Sequence, residues 1–577
     1  MTSKFECRCA RDIHTGQDSM FDAWLFSMMI DNNIAHSMNP QFIASPEQIR
    51  FMVAMGPDQV YLPCEDSVFQ DIQEGDASGR LQKMYNRAWR IIVRLLRSSG
   101  ADREDIRRRL IFCKYRFRQS IATTTLIPSR LVKRMMTLAF FMQGVSELWE
   151  GRRRESCARQ IQMLESPMLA QVLGAVDRGE LFGDMGAIHS RLNYLELARK
   201  MYLSIMSRPW LESLPSVIDV QKGFEAAARV SAPLELYFGN AASKLTVLFL
   251  VDADGGLVLD LALLDVLQRM GHRVILAVKE DFHFYAPTLT DVRTDPSLAE
   301  LRRRACIVQS PAVSKNELLR LLREHKMLII SDGTQERMNL TRVSVTFARA
   351  WKEADLVIAK GWRNAGIFLR TSHQFTRDVL CYWVDDAGEY HVEARPRPAT
   401  VCKFSERDIA AHADKIIAEM RAARDAGRTV MFYSCIIGSI PGQTSTAVKL
   451  VNAFVTHLRQ QQDNMLIINP AEHFIEGMDG DDLMFMWERV QRSGYINIWR
   501  FQSVEDVEEG FRLLGRKVPP IWSGKDATYS TGCTKEMRIA LDVQKANREM
   551  QLIGPDPRMF FRRSEYGIGK YFDATIN

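Results

Sequence analysis

The chain has 577 residues, of which 46% are hydrophobic and 25% are charged, which is typical of a globular protein too long for one ordinary core. The net charge of +6 is small for this length and does not by itself indicate nucleic-acid binding. No apolar run approaches the ~18 residues that span a bilayer, and the N-terminus lacks the apolar segment of a secretory signal. The ten cysteines form no CxxC pair, which disfavours a disulfide framework or a zinc ribbon. We expect a cytoplasmic protein of two or three domains that does not enter a membrane.

Residues 1–240 are predicted to form a mostly helical domain. Apolar residues recur with a period of 3.6 residues in long segments such as 128–150 and 156–176, and strand-like runs are few.

The segment 80–134 is strongly basic, with 16 Lys or Arg residues against three acidic ones. The simplest interpretation is a solvated helix face. The alternative is a surface for a protein partner or a phosphate-rich ligand. No nucleic-acid-binding motif is present, so a nucleic-acid partner is not favoured.

The pattern changes near residue 243, where short apolar runs begin to alternate with amphipathic helices. These runs are predicted strands at residues 245–251, 274–278, 305–308, 327–330, 356–358 and 379–384. Such alternation predicts an α/β fold with a Rossmann-like, largely parallel sheet at residues 241–400.

A run rich in proline follows, and residues 401–577 are predicted to form an α/β extension. Its predicted elements are a helix at 405–426 and strands at 429–433, 465–468 and 496–501. The role of this extension is not indicated by any motif.

Three turns follow predicted strands of the central section: VDADGG after residue 251, SDGTQER after residue 330 and KGWRNAG after residue 358. In parallel sheets, ligands bind beyond the carboxyl ends of the strands. Carboxylates suit Mg²⁺ or Mn²⁺, and a lysine suits phosphate oxygens. The three turns therefore predict a site for a divalent cation and a phosphate.

The order DxxGxxxxD, a helix, GHRVILAVK, SDGT and ADLVIAKGxxN resembles the damage-control phosphatase family over roughly residues 233–386. Members are metal-dependent phosphatases with an α/β core and an accompanying helical domain. The resemblance implies a phosphatase that uses Mn²⁺ or Mg²⁺ to hydrolyse a small phosphomonoester, such as a sugar phosphate.

The resemblance also implies roles for individual residues. Asp252 matches the metal-binding aspartate of the family and Asp291 matches a later family aspartate, while Asp254 can substitute for a lost ligand. The candidate catalytic residues are therefore Asp252 and Asp254, and the candidate metal ligands are Asp252, Asp254 and Asp291. The implied substrate-binding residues are Asp332, Gly333, Thr334, Lys360, Arg363 and Asn364.

Two positions depart from the family pattern: Ala253 and Ala286 stand where the family has metal-binding side chains. Several alternatives therefore stay open. The chain can be an active enzyme in which Asp254 replaces a lost ligand, or a non-catalytic protein that binds a phosphorylated metabolite or nucleotide. It can also be an assembly protein that uses the family core, with acidic residues that only cap helices.

The extension has three weaker candidates for a ligand site. The loop SCIIGSIPGQTS could bind an anion or be an ordinary capped turn. The acidic cluster at residues 472–482 could bind a metal or precede a helix. Cys533 could be a reactive thiol or a small buried residue.

Overall fold

The described residues form two units, one within the range 9–399 and the other within the range 400–561. The computed structural model describes residues 9–16, 18–34, 42–56, 58–98, 101–122, 125–143, 149–175, 183–212, 216–239, 244–440 and 442–561. The predicted helical region and the predicted α/β core both fall in the first unit. The division of that unit into separate domains at residue 240 stays a prediction.

Helices dominate the N-terminal part of the first unit. They are α1 (Ser19–Asp31), α2 (Pro46–Ile49), α3 (Asp66–Gln73), α4 (Arg80–Arg97), α5 (Arg103–Ile121), α6 (Pro128–Gln143), α7 (Glu150–Leu164), α8 (Pro167–Gly174), α9 (Met185–Glu212), α10 (Val217–Arg229) and α11 (Ala232–Phe238), with a 3₁₀ turn at Ala10–Asp12. One face of α4 is buried, including Leu81, Ala88 and Ile92. Asp102 caps α5 by accepting hydrogen bonds from two backbone N–H groups of its first turn.

The strands of the first unit are β1 (Val53–Ala54), β2 (Thr246–Leu250), β3 (Arg273–Val278), β4 (Cys306–Ile307), β5 (Met327–Ser331), β6 (Leu356–Lys360), β7 (Gln374–Phe375), β8 (Asp378–Val384) and β9 (Tyr390–Arg395). Seven of them form one sheet in the order β4-β5-β3-β2-β6-β8-β9. All neighbours in this sheet are parallel except β8 and β9. β1 and β7 form a separate antiparallel pair.

Helices cross between these strands, as the alternating pattern predicted. They are α12 (Leu257–Arg269), α13 (Leu289–Thr294), α14 (Ala299–Arg304), α15 (Lys315–Glu324), α16 (Val345–Glu353) and α17 (Trp362–Leu369), with a 3₁₀ turn at Pro296–Leu298. Both faces of the sheet are buried, which explains why the strands are continuous apolar runs. Val247 and Phe249 pack into one core, and Leu248 and Leu250 pack into another.

The second unit contains a four-stranded parallel sheet in the order β11-β10-β12-β13. Its elements are α18 (Glu406–Asp425), β10 (Thr429–Ser434), α19 (Thr444–Gln461), β11 (Met465–Ile468), α20 (Gly480–Gln491), β12 (Ile498–Phe501), α21 (Val504–Leu513), α22 (Thr531–Ala546), β13 (Gln551–Ile553) and α23 (Pro557–Phe561), with 3₁₀ turns at Pro470–Glu472 and Ala527–Tyr529.

The predicted α/β class, with a parallel sheet, a helical N-terminal region and an α/β extension, is confirmed. The edge strands β9 and β13 were not predicted, because YHVEAR and QLI are short and carry polar residues on an exposed side. Among the described helices, none is long and apolar enough to cross a bilayer. The nine cysteines in the described ranges are all free thiols.

Candidate active site

The candidate site lies where β2 and β6 end side by side. Leu250 pairs with Ala359 in the parallel register, so Asp252 and Gly361 follow at the same edge of the sheet. The chain passes from β2 to β3 on one side and later returns to β6 on the other. This reversal is a topological switch point, which leaves a crevice beyond the carboxyl ends of the two strands.

Lys360 holds the acidic turn after β2 in place. Its ammonium donates hydrogen bonds to the backbone oxygen of Gly255 (2.7 Å) and to Oδ1 of Asp260 (2.6 Å). Both charged side chains of this pair are buried, with exposures of 1% and 0%. Burial raises the pKa of Asp260 to about 6 against the opposing effect of Lys360, so the carboxylate is ionised at neutral pH. Gly255 and Gly256 take φ values of +86° and +98°, which favour glycine.

Asp252 is the buried carboxylate at the centre of the site. Its Oδ1 accepts a hydrogen bond from the backbone N–H of Ala253 (2.7 Å). Its Oδ2 is buried and has no hydrogen-bond partner among the described residues. Burial and then the Asp254 carboxylate raise the pKa of Asp252 to about 6, while the Arg363 guanidinium and the Lys360 ammonium oppose this rise. An oxygen of this kind lacks the cation or donor that buried carboxylates normally have.

Arg363 joins the two acids of the turn. Its Nη1 lies 3.0 Å from Oδ2 of Asp254 and 3.7 Å from Oδ1 of Asp252. Because this side chain keeps 26% of its surface exposed, it can also meet an anion that enters from the crevice.

Asn364 connects the ends of the two strands. Its Nδ2 donates to the backbone oxygens of Val251 (3.2 Å) and Lys360 (2.8 Å). Lys360 and Asn364 therefore hold the turns of the site in place through hydrogen bonds inside the protein. Direct contact of either residue with a phosphate stays a prediction.

The predicted SDGT turn is held by Lys279. Its ammonium donates to Oδ2 of Asp332 (2.6 Å), to Oγ1 of Thr334 (3.0 Å) and to the backbone oxygen of Glu336 (2.7 Å). Gly333 has a φ of +78° and packs against the backbone of Ser344. These contacts position the loop that follows, and the predicted contacts of this turn with substrate stay untested.

Asp291 forms a buried ion pair with Arg153. Its two carboxylate oxygens accept hydrogen bonds from Arg153 at 2.8 and 3.1 Å, and Oδ2 also accepts from the backbone and hydroxyl of Thr288. The pair with Arg153 is buried, with side-chain exposures of 5% and 7%. Its assignment as a metal ligand stays a prediction that these contacts do not support.

A cavity of about 210 Å³ opens between α4, α6 and the loops at the sheet edge. Arg363 lines it, so the cavity adjoins the acidic turn. Its other walls include Arg87, Lys133, His283, Arg337 and Trp362, none of which the sequence assigned to the site. Arg87 and Lys133 belong to the basic segment that was interpreted as a solvated face or partner surface. Arg337 closes the SDGTQER motif, which was the available signal for it.

His283 is a buried, neutral imidazole in this wall. Burial and then the charges of Lys279, Arg363 and Lys133 hold its pKa well below the ordinary value. Its Nδ1 has no hydrogen-bond partner among the described residues. The following residue, Phe284, has a φ of +58°, which is uncommon for a residue with a side chain.

Asp252 and Asp254 could hold a divalent cation that has few other protein ligands. Within the described ranges, no group of three or more His, Cys, Asp or Glu side chains is arranged to hold a metal. Ala286 is fully buried and offers no ligand atom. However, Mg²⁺ is commonly bound through one or two carboxylates together with water and substrate phosphate. The unpartnered oxygen of Asp252 and the adjacent Asp254 provide such a pair.

The candidates in the second unit have local partners. Glu472 forms an ion pair with Arg459 (2.8 Å), and Asp479 caps α20 by accepting from the N–H of Asp482. The thiol of Cys533 is buried and donates to the backbone oxygen of Cys435. Ligand roles in this unit stay predictions.

Part of the chain around this site matches the model of a known protein family. No curated protein matches the chain. A crystal structure of a DUF89 family protein from Pyrococcus horikoshii aligns at 17% identity with a TM-score of 0.37, covering 55% of this chain and 97% of that one. The family model described as the damage-control phosphatase ARMT1-like domain matches residues 214–381, which include the turns after β2, β5 and β6 but not the cavity walls from α4 and α6. The resemblance predicted from the motifs is confirmed by this match, which covers residues 214–381 and leaves the rest of the chain outside it.

Proposed function

We propose that the first unit is a metal-dependent phosphatase that hydrolyses a small phosphomonoester. The domain match supports a phosphatase-like function, and damage-control phosphatases are generally metal-dependent. The observation that carries the proposal is the unpartnered, buried Oδ2 of Asp252, which lies beside Asp254 and Arg363 at the switch point of the sheet.

Each charged residue has a part in this proposal. Asp252 and Asp254 would hold Mn²⁺ or Mg²⁺, and the cation would neutralise charge on the phosphoryl group. Arg363 would bind phosphate oxygens, because its partly exposed guanidinium lies beside both acids. The buried pair of Lys360 and Asp260 would keep the turn rigid, so that little reorganisation is needed when substrate binds.

The reaction needs no covalent intermediate with the protein. A bond forms from a water oxygen to phosphorus, and the bond from phosphorus to the ester oxygen breaks. The ester oxygen leaves as the alcohol after it takes up a proton, and inorganic phosphate remains. Catalysis of this kind rests on positioning and on neutralisation of charge.

The test is hydrolysis of p-nitrophenyl phosphate by the full chain with Mn²⁺, Mg²⁺ or chelator. We expect turnover that requires the cation and that falls about 100-fold or more in Asp252→Asn. The matched control is Asp386→Asn, which removes an exposed carboxylate. Turnover that survives both the chelator and Asp252→Asn would refute the proposal. Binding of phosphate esters without turnover would instead favour the non-catalytic alternative.

A further inference from the structure

The cavity beside Arg363 is unusually apolar for a site that receives a phosphate ester. Helices α4, α6 and α17 and one loop supply hydrophobic side chains to its wall, namely Met84, Ala88, Ile91, Val132, Met136, Phe284 and Trp362. Trp362 stays 43% exposed, which places a large aromatic surface in reach of a ligand. Contact with these side chains favours an apolar group over a hydrated one.

The charged residues of the wall favour an anion. Four cationic side chains line the cavity, Arg87, Lys133, Arg337 and Arg363, against the single carboxylate of Glu336. Two of the four have acidic partners outside the wall, Arg363 with Asp254 (3.0 Å) and Arg337 with Glu65 (3.6 Å). The Glu336 carboxylate is already paired with Arg130 (3.3 Å). The balance of charge therefore suits a phosphate group.

The neutral polar side chains of the wall are few, namely Ser129, His283 and Gln335. Gln335 accepts a hydrogen bond from Lys133 (2.6 Å) and donates one to Asp281 (3.0 Å). His283 keeps one ring nitrogen without a partner among the described residues. A sugar would bring several hydroxyl groups into this cavity, and each hydroxyl left unpaired there would cost binding energy.

We propose that the substrate of this site is a phosphomonoester of an apolar alcohol. Its aromatic or branched alkyl group packs between α4, α6 and Trp362, while its phosphate meets Arg363 and the acidic turn. The inference rests on the phosphatase function proposed above and narrows its substrate class.

The test compares two esters of primary alcohols, 2-phenylethyl phosphate and glucose 6-phosphate, so that leaving-group reactivity is similar. We expect kcat/KM to favour the phenylethyl ester by about tenfold or more. The double variant Met84→Gln with Val132→Thr keeps the shape of the wall but makes it polar, and it should lower this preference about tenfold. The matched control is Met185→Gln with Val217→Thr, which changes the same residue types at exposed positions.

Binding of 3-phenylpropylphosphonate, which cannot be hydrolysed, separates the two proposals. Calorimetry should show that it binds the full chain and that the double variant in the cavity weakens its binding. If glucose 6-phosphate is turned over as well as the phenylethyl ester, the apolar substrate is wrong and the phosphatase function stands. If the phosphonate binds but no ester is hydrolysed, the phosphatase function is wrong and the apolar ligand class stands. If neither binding nor turnover occurs, both are wrong.

Discussion

The backbone of Gly361 packs in close contact with the carboxylate of Asp252. A Cβ atom at position 361 would lie 2.3 Å from Cγ of Asp252, far inside van der Waals contact. Gly361 also has a φ of +92° and donates its N–H to the backbone oxygen of Tyr382 (2.8 Å). The glycine of the KGxxN motif is therefore required by the close approach of β6 to the acidic turn.

The variant Gly361→Ala should disrupt the site and destabilise the first unit by several kcal/mol, because it combines a left-handed backbone with a collision. The control is Gly388→Ala, whose φ is +87° and whose Cβ would meet nothing within 4 Å. That control measures the cost of a side chain at positive φ without a collision, about 1–3 kcal/mol. Thermal unfolding of both variants checks the prediction, which fails if the two lose equal stability.

The arrangement of strands and turns could be predicted from the sequence, because buried parallel strands are continuous apolar runs that end in polar turns. The pairing of charged side chains could not be predicted. Arg153 lies 138 residues before Asp291 on a separate helix, and no local pattern connects them. The wall of the cavity was missed for the same reason, since Met84 and Val132 read as ordinary positions on amphipathic helices.

Asp252 should make stability depend on pH in the absence of metal. Its pKa rises to about 6 in the folded chain from an ordinary value of 3.8. Between these values the folded state binds more protons than the unfolded state, so this group lowers stability as the pH rises through that window. In chelator, Asp252→Asn should be more stable than the wild type at pH 7.5 by up to about 3 kcal/mol, and equally stable near pH 4.

Urea unfolding of the two proteins at both pH values measures this difference. Asp386→Asn again controls for the loss of one carboxylate. An advantage of Asp252→Asn that is the same at pH 4 and pH 7.5 would show that it does not arise from ionisation.

The pair of Arg153 and Asp291 should act as a structural element. Removal of one partner of a buried ion pair leaves an uncompensated charge, so Arg153→Met should cost about 3–5 kcal/mol of stability. The double variant Arg153→Met with Asp291→Asn should recover much of this loss, because no charge is then left buried. The free energies of unfolding of Arg153→Met, Asp291→Asn and the double variant, measured by chemical unfolding, form a double-mutant cycle. If the rescued double variant needs a much higher Mn²⁺ concentration for activity than Arg153→Met alone, Asp291 is a metal ligand.

Arg363 and a divalent cation should compete for the same two carboxylates. Nη1 of Arg363 lies within 4 Å of both Asp252 and Asp254, so its positive charge opposes a cation that binds there. We expect Arg363→Gln to bind Mn²⁺ about tenfold or more tightly than the wild type, because like-charge repulsion is removed. The same variant should bind inorganic phosphate more weakly, because the partly buried guanidinium that would bind the anion is lost.

Calorimetric titration with each ligand measures both effects. The matched control is Arg370→Gln, at a side chain that is 59% exposed. Unchanged affinity for Mn²⁺ in Arg363→Gln would show that the cation does not bind at this pair of acids.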